Sequence, residues 1–196
     1  MRKSLLFVWA CMGLVCLVSA CKTSVKSKEW KLVWVEDFDQ KNSFDESVWT
    51  KIPRGTSDWN NYMSYYDSCY AMQDGNLILR GIANHTQKND TAPYLTGGVY
   101  TKGKKLFTGG RVEVCARLQA AKGAWPAIWM LPEKAEWPKG GEIDIMERLN
   151  HDRIAYQTTH SYYTHILGIK DNPPHGGINK INPEEYNIYS VDIYPD

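Results

Sequence analysis

The sequence predicts an all-β domain, a sandwich of two sheets, and three observations lead to this fold class. Residues Arg111–Leu118 alternate apolar and polar side chains, which is typical of a strand with one buried face. The dipeptide Asp74-Gly75 separates two β-rich runs, Tyr70–Gln73 and Asn76–Arg80, and it supplies the positive φ angles of a tight hairpin turn. No segment has the apolar period of a convincing amphipathic helix.

The remaining elements follow in chain order. Apolar, β-branched or aromatic runs predict further strands at Leu32–Val35, Ala127–Leu131, Glu142–Glu147, Ala155–His160 and Tyr186–Tyr194. Two stretches rich in Asn, Asp, Pro and Gly, Asn84–Ala92 and Lys170–Pro183, are predicted to be long surface loops. Loops of this kind commonly surround a cleft.

The strand at Glu142–Glu147 carries three carboxylates in an otherwise apolar, β-branched run. Side chains alternate along a strand, so Glu142 and Asp144 share one face while Glu147 has the wrong parity for it. One extra residue near Ile145-Met146, a β-bulge, would return Glu147 to that face. The row Glu142, Asp144, Glu147 could then bring the two Glu carboxyl groups to about 5–6 Å, the separation found in retaining glycosidases.

Crowded acids of this kind are expected to split their pKa values, so that one of them stays protonated near neutral pH. The competing interpretations of so short a motif are a solvated strand face and a metal site. The flanking sequence favours the catalytic interpretation over both.

Two Trp-rich segments precede the acids and a His follows them on the next predicted strand. They read Trp125-Pro-Ala-Ile-Trp129-Met-Leu-Pro and Trp137-Pro-Lys-Gly-Gly-Glu142, and the His is His160. From about Trp30 to its end, the chain resembles glycoside hydrolase family 16. The resemblance implies a concanavalin A-like β-jelly roll with a long polysaccharide cleft. It also implies that Glu142 is the nucleophile, Glu147 the acid/base, Asp144 the assisting acid and His160 a cleft residue.

Aromatic residues are abundant, with eight Trp and twelve Tyr, and about half of them are expected in the core. Trp125, Trp129 and Trp137 lie close enough to the acids to stack on sugar rings, although Trp129 could equally belong to the core. The run Trp59-Asn60-Asn61 resembles the family's segment at the glycone end of the cleft. Substrate binding is therefore predicted at Trp59, Asn60, Asn61, Trp125, Trp129, Trp137 and His160.

The first residues read as an export signal. Arg2-Lys3 precede an apolar run that is too short for a stable membrane span, and Leu17–Cys21 resembles a bacterial lipobox. We therefore expect a signal peptide over residues 1–20, lipidation of Cys21, a polar tether over residues 21–29 and a catalytic domain over residues 30–196. The expected location is the cell envelope, anchored by lipid to the outer membrane on its surface or periplasmic face.

The remaining cysteines are Cys69 and Cys115 once the signal is removed. They could pair, but the sequence favours no functional disulfide, and Cys115 is as compatible with a small buried apolar residue. Because a single-domain sandwich often needs about 200–250 residues, the domain is also expected to be incomplete at its C-terminus. The formal net charge of +1 gives no electrostatic case for nucleic acid, and the expected state is a monomer.

The function predicted is retaining, endo-acting hydrolysis of a polysaccharide or glycan, with no cofactor and no metal. Laminarinase-like members usually carry N-N-E-L-Q-Y-Y where this chain has Asn60–Tyr66, so Tyr62 and Ser64 replace a Glu and a Gln. Arg148 and the residues after it also depart from the usual Tyr-Val-Gly. These departures favour a β-galactan-type chain, such as porphyran, agar or the poly-N-acetyllactosamine of mucin O-glycans.

Three alternatives stay open at this point. If Tyr62 and Arg148 lie outside the sugar subsites, the enzyme is an ordinary laminarinase or mixed-linkage β-glucanase. A transglycosylase would share every catalytic residue. From another class, a carbohydrate-binding lipoprotein would hold the glycan without cutting it, although such a protein has no need of two glutamates.

Overall fold

Antiparallel strands form most of the regular structure in the computed structural model, which describes residues 30–40 and 42–194. The strands are β1 (Thr50–Lys51), β2 (Tyr70–Gln73), β3 (Asn76–Leu79), β4 (Gly81–Ala83), β5 (Tyr94–Thr96), β6 (Val99–Tyr100), β7 (Gly110–Ala116), β8 (Ala127–Met130), β9 (Glu142–Glu147), β10 (Ile154–His160), β11 (Gly176–Lys180) and β12 (Asn187–Ile193). In the described ranges, the helical elements are a 3-10 turn at Asp67–Cys69 and the four-residue helix α1 at Tyr162–His165. The all-β prediction is confirmed.

The predicted signal peptide, the lipidation site Cys21 and the tether all lie outside the described residues. These features and the domain boundary at residue 30 therefore stay predictions. Within residues 30–40 and 42–194, no helix is long and apolar enough to cross a bilayer.

The hairpin predicted at Asp74-Gly75 is confirmed. Strands β2 and β3 pair in antiparallel register, from Tyr70 opposite Leu79 to Gln73 opposite Asn76. Asp74 has φ 51° and Gly75 has φ 69°, so both turn residues adopt the left-handed conformation of a type I′ turn. Asn76 secures the turn, because its side-chain amide donates to the carbonyl oxygen of Asp74 at 2.8 Å.

The largest sheet has four antiparallel strands in the order β11-β10-β9-β8. A two-stranded ribbon of β7 and β12 packs against one face of it. The core between these two layers contains Leu118, Ile145, Met146, Ala155 and Tyr189, with Val112 and Val191 of the ribbon against it. The acids of β9 lie on the other face of the four-stranded sheet.

Strand β7 alternates half-buried and exposed residues along its whole length, as its sequence pattern predicts. Cys115, however, lies on the exposed side of β7, whereas Cys69 is fully buried, and both are free thiols. The interpretation of Cys115 as a buried apolar residue was therefore wrong. Its register opposite Ile188 of β12 puts it on the face of the ribbon that points away from the core.

Two element predictions were wrong. Leu32–Val35 forms no strand, and Leu32 and Val33 are 77% and 88% exposed. A β-rich composition produces a strand only where a neighbour supplies ladder hydrogen bonds, and no described strand pairs with this segment. Conversely, the predicted loop Lys170–Pro183 contains β11. Its Gly176 lies so close to β10 that an added Cβ would be 3.3 Å from the Gln157 carbonyl oxygen. Glycine, which is typical of loops, therefore permits strand pairing at this sheet edge.

Candidate active site

The predicted β-bulge lies where the parity of the acids requires it. Against β8, Ile128 is opposite Met146 and Trp129 is opposite Asp144, which leaves Ile145 as an extra residue. Ile145 and Met146 are both buried in the core. Because two successive side chains turn inward, the next residue, Glu147, returns to the face of Asp144.

The register of the neighbouring strands confirms that the three acids share one face. Glu142 lies opposite His160, Asp144 opposite Thr158, and Glu147 opposite Tyr156 of β10. Residues directly opposite in an antiparallel pair point to the same side of the sheet. The face of the sheet that points away from the core therefore carries Glu142, Asp144 and Glu147 in one row.

Gly141 sets the start of this row. Its φ is +79°, and a Cβ at this position would lie 3.5 Å from the carbonyl oxygen of His160. A residue with a side chain would be strained in this left-handed conformation. Glycine thus allows the chain to turn into β9 directly before Glu142.

Asp144 is the central acid and is 4% exposed. Its pKa is raised to about 7, first by burial, then by the negative charges of Glu147 and Glu142, and then by a hydrogen bond with Glu142. At this pKa Asp144 still carries a proton in mildly acidic solution, as crowding predicts for one member of the row. His160 Nε2 lies 3.2 Å from Asp144 Oδ2, so this His borders the acids, and its contact with substrate stays a prediction.

Each glutamate accepts a hydrogen bond from a Trp side chain. The indole N–H of Trp137 donates to Glu142 Oε2 at 2.5 Å, and that of Trp125 donates to Glu147 Oε1 at 2.7 Å. The sequence predicted these two residues as stacking surfaces for sugars. In the structure their N–H edges contact the acids, while Trp137 and Trp125 stay 49% and 47% exposed, respectively. Stacking on sugars stays a prediction.

Trp129 and Trp59 form an aromatic pair beside the acids. Their ring centroids lie 5.0 Å apart in an edge-to-face arrangement, with an interplanar angle of 76°. Trp129 lies opposite Asp144 in the register with β9, so its side chain is on the acid face of the sheet rather than in the core. The pair connects the Trp59 loop to the site, and it leaves Trp59 partly exposed.

Asn60 and Asn61 hold the Trp59 loop in shape. Asn60 Oδ1 accepts from the backbone N–H of Ser57 at 3.1 Å, and the Asn60 backbone pairs with Ser57, Gly55 and Met63. The N–H of Asn61 also donates to the Ser57 carbonyl oxygen, at 2.9 Å. Both residues were predicted from the sequence to bind substrate, whereas the contacts seen for Asn60 are those of a turn residue.

Tyr62 and Arg148, two positions where the sequence departs from laminarinase-like members, lie in different environments. Tyr62 is 38% exposed and packs edge-on against Tyr94, with the ring centroids 6.2 Å apart. Arg148 is 4% exposed and donates to the backbone carbonyl oxygens of Asp152 and Leu118. Arg148 therefore points away from the acids, and of these two residues only Tyr62 has an exposed side chain.

Two residues near the site were not predicted from the sequence. His165 lies between Trp137 and His160, with ring centroids 4.5 Å and 6.3 Å away, respectively. It is on α1, which begins with Ser161 and Thr164 capping each other reciprocally. That Ser-x-x-Thr spacing, which resembles a capping box, was the available signal. The second residue is Gln157, which contacts the bulge.

Across residues 30–40 and 42–194, no group of three or more His, Cys, Asp or Glu side chains is arranged to hold a metal ion. The acids instead contact one another, two indoles and an imidazole.

Comparison with known proteins places these features in a family. The model of the XgeA-like catalytic domain of glycoside hydrolase family 16 matches residues 67–175. This range contains the bulged strand, both Trp-rich segments and His160. The match therefore covers the whole row of acids and the strands on either side of it.

Individual relatives extend the match to most of the chain. The chain is 38% identical to keratan-sulfate endo-1,4-beta-galactosidase of Sphingobacterium multivorum over 86% of its own length, and it spans 40% of that relative. The solved laminarinase of Rhodothermus marinus superposes with a TM-score of 0.73 at 30% identity, covering 85% of this chain and 69% of that one.

A second similar structure is described by the words "prominent members of the human gut microbiota express endo-acting O-glycanases to initiate mucin breakdown". It superposes with a TM-score of 0.65 at 27% identity, covering 83% of this chain and 64% of that one. The likeness to such solved structures confirms the predicted jelly-roll class.

Proposed function

We propose that this chain, which belongs to glycoside hydrolase family 16, is the catalytic part of an endo-acting enzyme that hydrolyses a glycan with retention of anomeric configuration. The observation that carries the proposal is the row of three acids on one face of β9. The bulge aligns Glu147 with Glu142 and Asp144, and an indole N–H orients each glutamate. Retaining glycosidases use two such carboxyl groups.

The roles of the glutamates follow from double displacement. In the first step, a Glu142 carboxylate oxygen attacks the anomeric carbon while Glu147 gives its proton to the departing glycosidic oxygen. In the second step, Glu147 takes a proton from water, and the resulting oxygen attacks the same carbon and releases Glu142. Each displacement inverts the carbon, so the product retains the original configuration.

Asp144 assists Glu142 in this scheme. Its raised pKa, about 7, keeps a proton on the carboxyl group below neutral pH. The protonated carboxyl group can then donate a hydrogen bond to the Glu142 carboxylate. The hydrogen bond stabilises Glu142 as a carboxylate when it leaves in the second step. The indole N–H of Trp137 supports the same anion at 2.5 Å, and Trp125 holds Glu147 towards the scissile bond.

The substrate class we favour is a β-galactan-type chain. Two points support it: the similarity to a keratan-sulfate endo-1,4-beta-galactosidase and the replacement of the usual Glu by Tyr62 beside the Trp59 loop. A neutral aromatic surface at this position removes polar contacts that a glucan-specific site would make. The similarity to a laminarinase structure keeps a β-glucan as the second candidate.

Digestion of a glycan panel tests the substrate class. The panel contains keratan sulfate, porphyran, mucin O-glycans, laminarin and mixed-linkage glucan, and chromatography with mass spectrometry measures the released oligosaccharides. We expect at least one galactose-containing chain to be cut at least about tenfold faster than laminarin, because unpaired polar groups penalise the wrong sugar. The Glu142→Gln variant controls for contaminating activity, and laminarin as the fastest substrate would contradict the galactan assignment.

We propose in addition that the protein is a monomer anchored by a lipid on Cys21 to the outer membrane. The support is the lipobox-like sequence that ends at Cys21, because acylation of a thiol supplies a hydrophobic anchor. Cys21→Ser is expected to abolish labelling with radioactive palmitate and to move the protein out of the membrane fraction. Cys115→Ser is the matched control, and unchanged membrane retention of the Cys21 variant would contradict the anchor.

A further inference from the structure

The bulge in β9 has a polar contact outside the row of acids. Gln157 lies on β10, and its side-chain Nε2 donates to the carbonyl oxygen of Ile145 at 2.9 Å. In the register, Tyr156 is opposite Glu147 and Thr158 is opposite Asp144. The single residue Gln157 therefore faces both bulge residues, Ile145 and Met146.

This contact places a side-chain donor at the bulge. An extra residue interrupts the ladder and leaves local backbone groups without their usual partners. Ile145 is 2% exposed, so its carbonyl oxygen has little access to water. A buried carbonyl oxygen needs a hydrogen-bond donor, and the Gln157 amide supplies one to Ile145.

Gln157 is itself oriented from the next strand. Asn179 of β11 donates through its Nδ2 to Gln157 Oε1 at 2.8 Å. With its oxygen engaged in this way, the Gln157 amide directs its N–H group at the bulge. A chain of two side-chain hydrogen bonds thus runs from the edge strand β11 through β10 to the bulge in β9.

We propose that Gln157 is a positioning residue for the acid/base Glu147. This inference rests on the proposed function, in which Glu147 protonates the leaving group. Glu142 and Asp144 precede the bulge, so their place in the sheet does not depend on it. Glu147 follows it, and a shift by one residue would turn its side chain to the opposite face. Loss of the Gln157 contact should therefore disturb the acid/base step and spare the nucleophile.

The test is Gln157→Leu, which keeps the bulk of the side chain and removes the donor. We expect kcat on the glycan to fall about 10- to 100-fold, as for a small misplacement of a catalytic group, with KM changed less than about threefold. A dinitrophenyl glycoside of the preferred sugar needs no acid, and azide needs no base. With the dinitrophenyl glycoside and azide together, Gln157→Leu should react at close to the wild-type rate. Glu147→Ala should do the same, whereas Glu142→Gln should not.

Thr159→Val is the matched control, since it removes one side-chain hydrogen bond, to the His175 carbonyl oxygen, on the same strand and face without touching the bulge. It should keep wild-type kcat on the glycan. If Gln157→Leu does not fold, as judged by circular dichroism, Asn179→Ala replaces it, because Asn179 is exposed. We expect this variant to lose less kcat and to show the same recovery with azide. Wild-type kcat in the folded Gln157 variant would overturn the proposal.

The proposal would also be overturned if Gln157→Leu lost kcat equally on the glycan and on the dinitrophenyl glycoside and azide restored neither. Failure of the proposed function itself looks different. In that case Glu147→Ala would show no recovery with azide, whatever the behaviour of Gln157→Leu.

Discussion

Replacing either glutamate of the row by glutamine should lower kcat by at least about 10³-fold, because each exchange removes a covalent or proton-transfer role rather than general binding. Glu142→Gln removes the nucleophile and Glu147→Gln removes the group that gives and takes the proton. The geometry supports equal importance, since each carboxylate is oriented by its own indole N–H. Turnover of the glycan identified by the panel measures the loss.

Azide distinguishes the two roles. It can replace water in the second step without a base, so it should restore turnover of an activated substrate by the Glu147 variant and form a glycosyl azide of retained configuration. The Glu142 variant forms no glycosyl-enzyme and should not respond. Glu113→Gln on the exposed side of β7 is the matched control for the exchange, and rescue of the Glu142 variant alone would reverse the assignment.

Asp144→Ala should lower kcat by about 10²-fold, the usual effect of removing one donor that stabilises a catalytic anion. The carboxyl group is buried and hydrogen-bonded with Glu142, and its pKa is raised to about 7. Asp144→Asn keeps a donor at this position and should lose less. It also cannot ionise, so the fall in wild-type turnover as pH rises through about 7 should be weakened in this variant.

The same pKa predicts a dependence of stability on pH. Asp144 binds its proton more tightly in the folded chain than in the unfolded chain, where the pKa is near 3.8. Its contribution to stability is therefore fully present below pH 3.8 and is lost as pH rises to about 7. Relative to wild type, Asp144→Asn should gain stability over this interval, by about 4 kcal/mol at most. Thermal melts from pH 4 to pH 8 measure this gain, and a constant difference would contradict the raised pKa.

The acids and the bulge could be predicted from the sequence because they follow from the parity of one strand. Glu147 stands three residues after Asp144, and only an extra residue in β9 can bring both to one face. The hairpin at Asp74-Gly75 was predictable for a similar reason, since it depends on two adjacent residues.

Contacts between distant segments could not be predicted in this way. The indole of Trp125 reaches Glu147 across 22 positions, and no local pattern distinguishes an orienting Trp from a stacking one. Strand β11 was hidden by the composition of a loop, because its pairing depends on the close approach of Gly176 to β10. The strand predicted at Leu32–Val35 is absent for the opposite reason, because these strand-forming residues have no described partner strand.

The anomeric configuration of the first product tests double displacement most directly. Proton NMR can follow the reducing end during rapid hydrolysis of a β-linked glycan, before mutarotation mixes the anomers. Two successive inversions at Glu142 and water predict that the β-anomer appears first and the α-anomer later. If the α-anomer appeared first, a single displacement by water would be the mechanism, and Glu142 could not be the nucleophile.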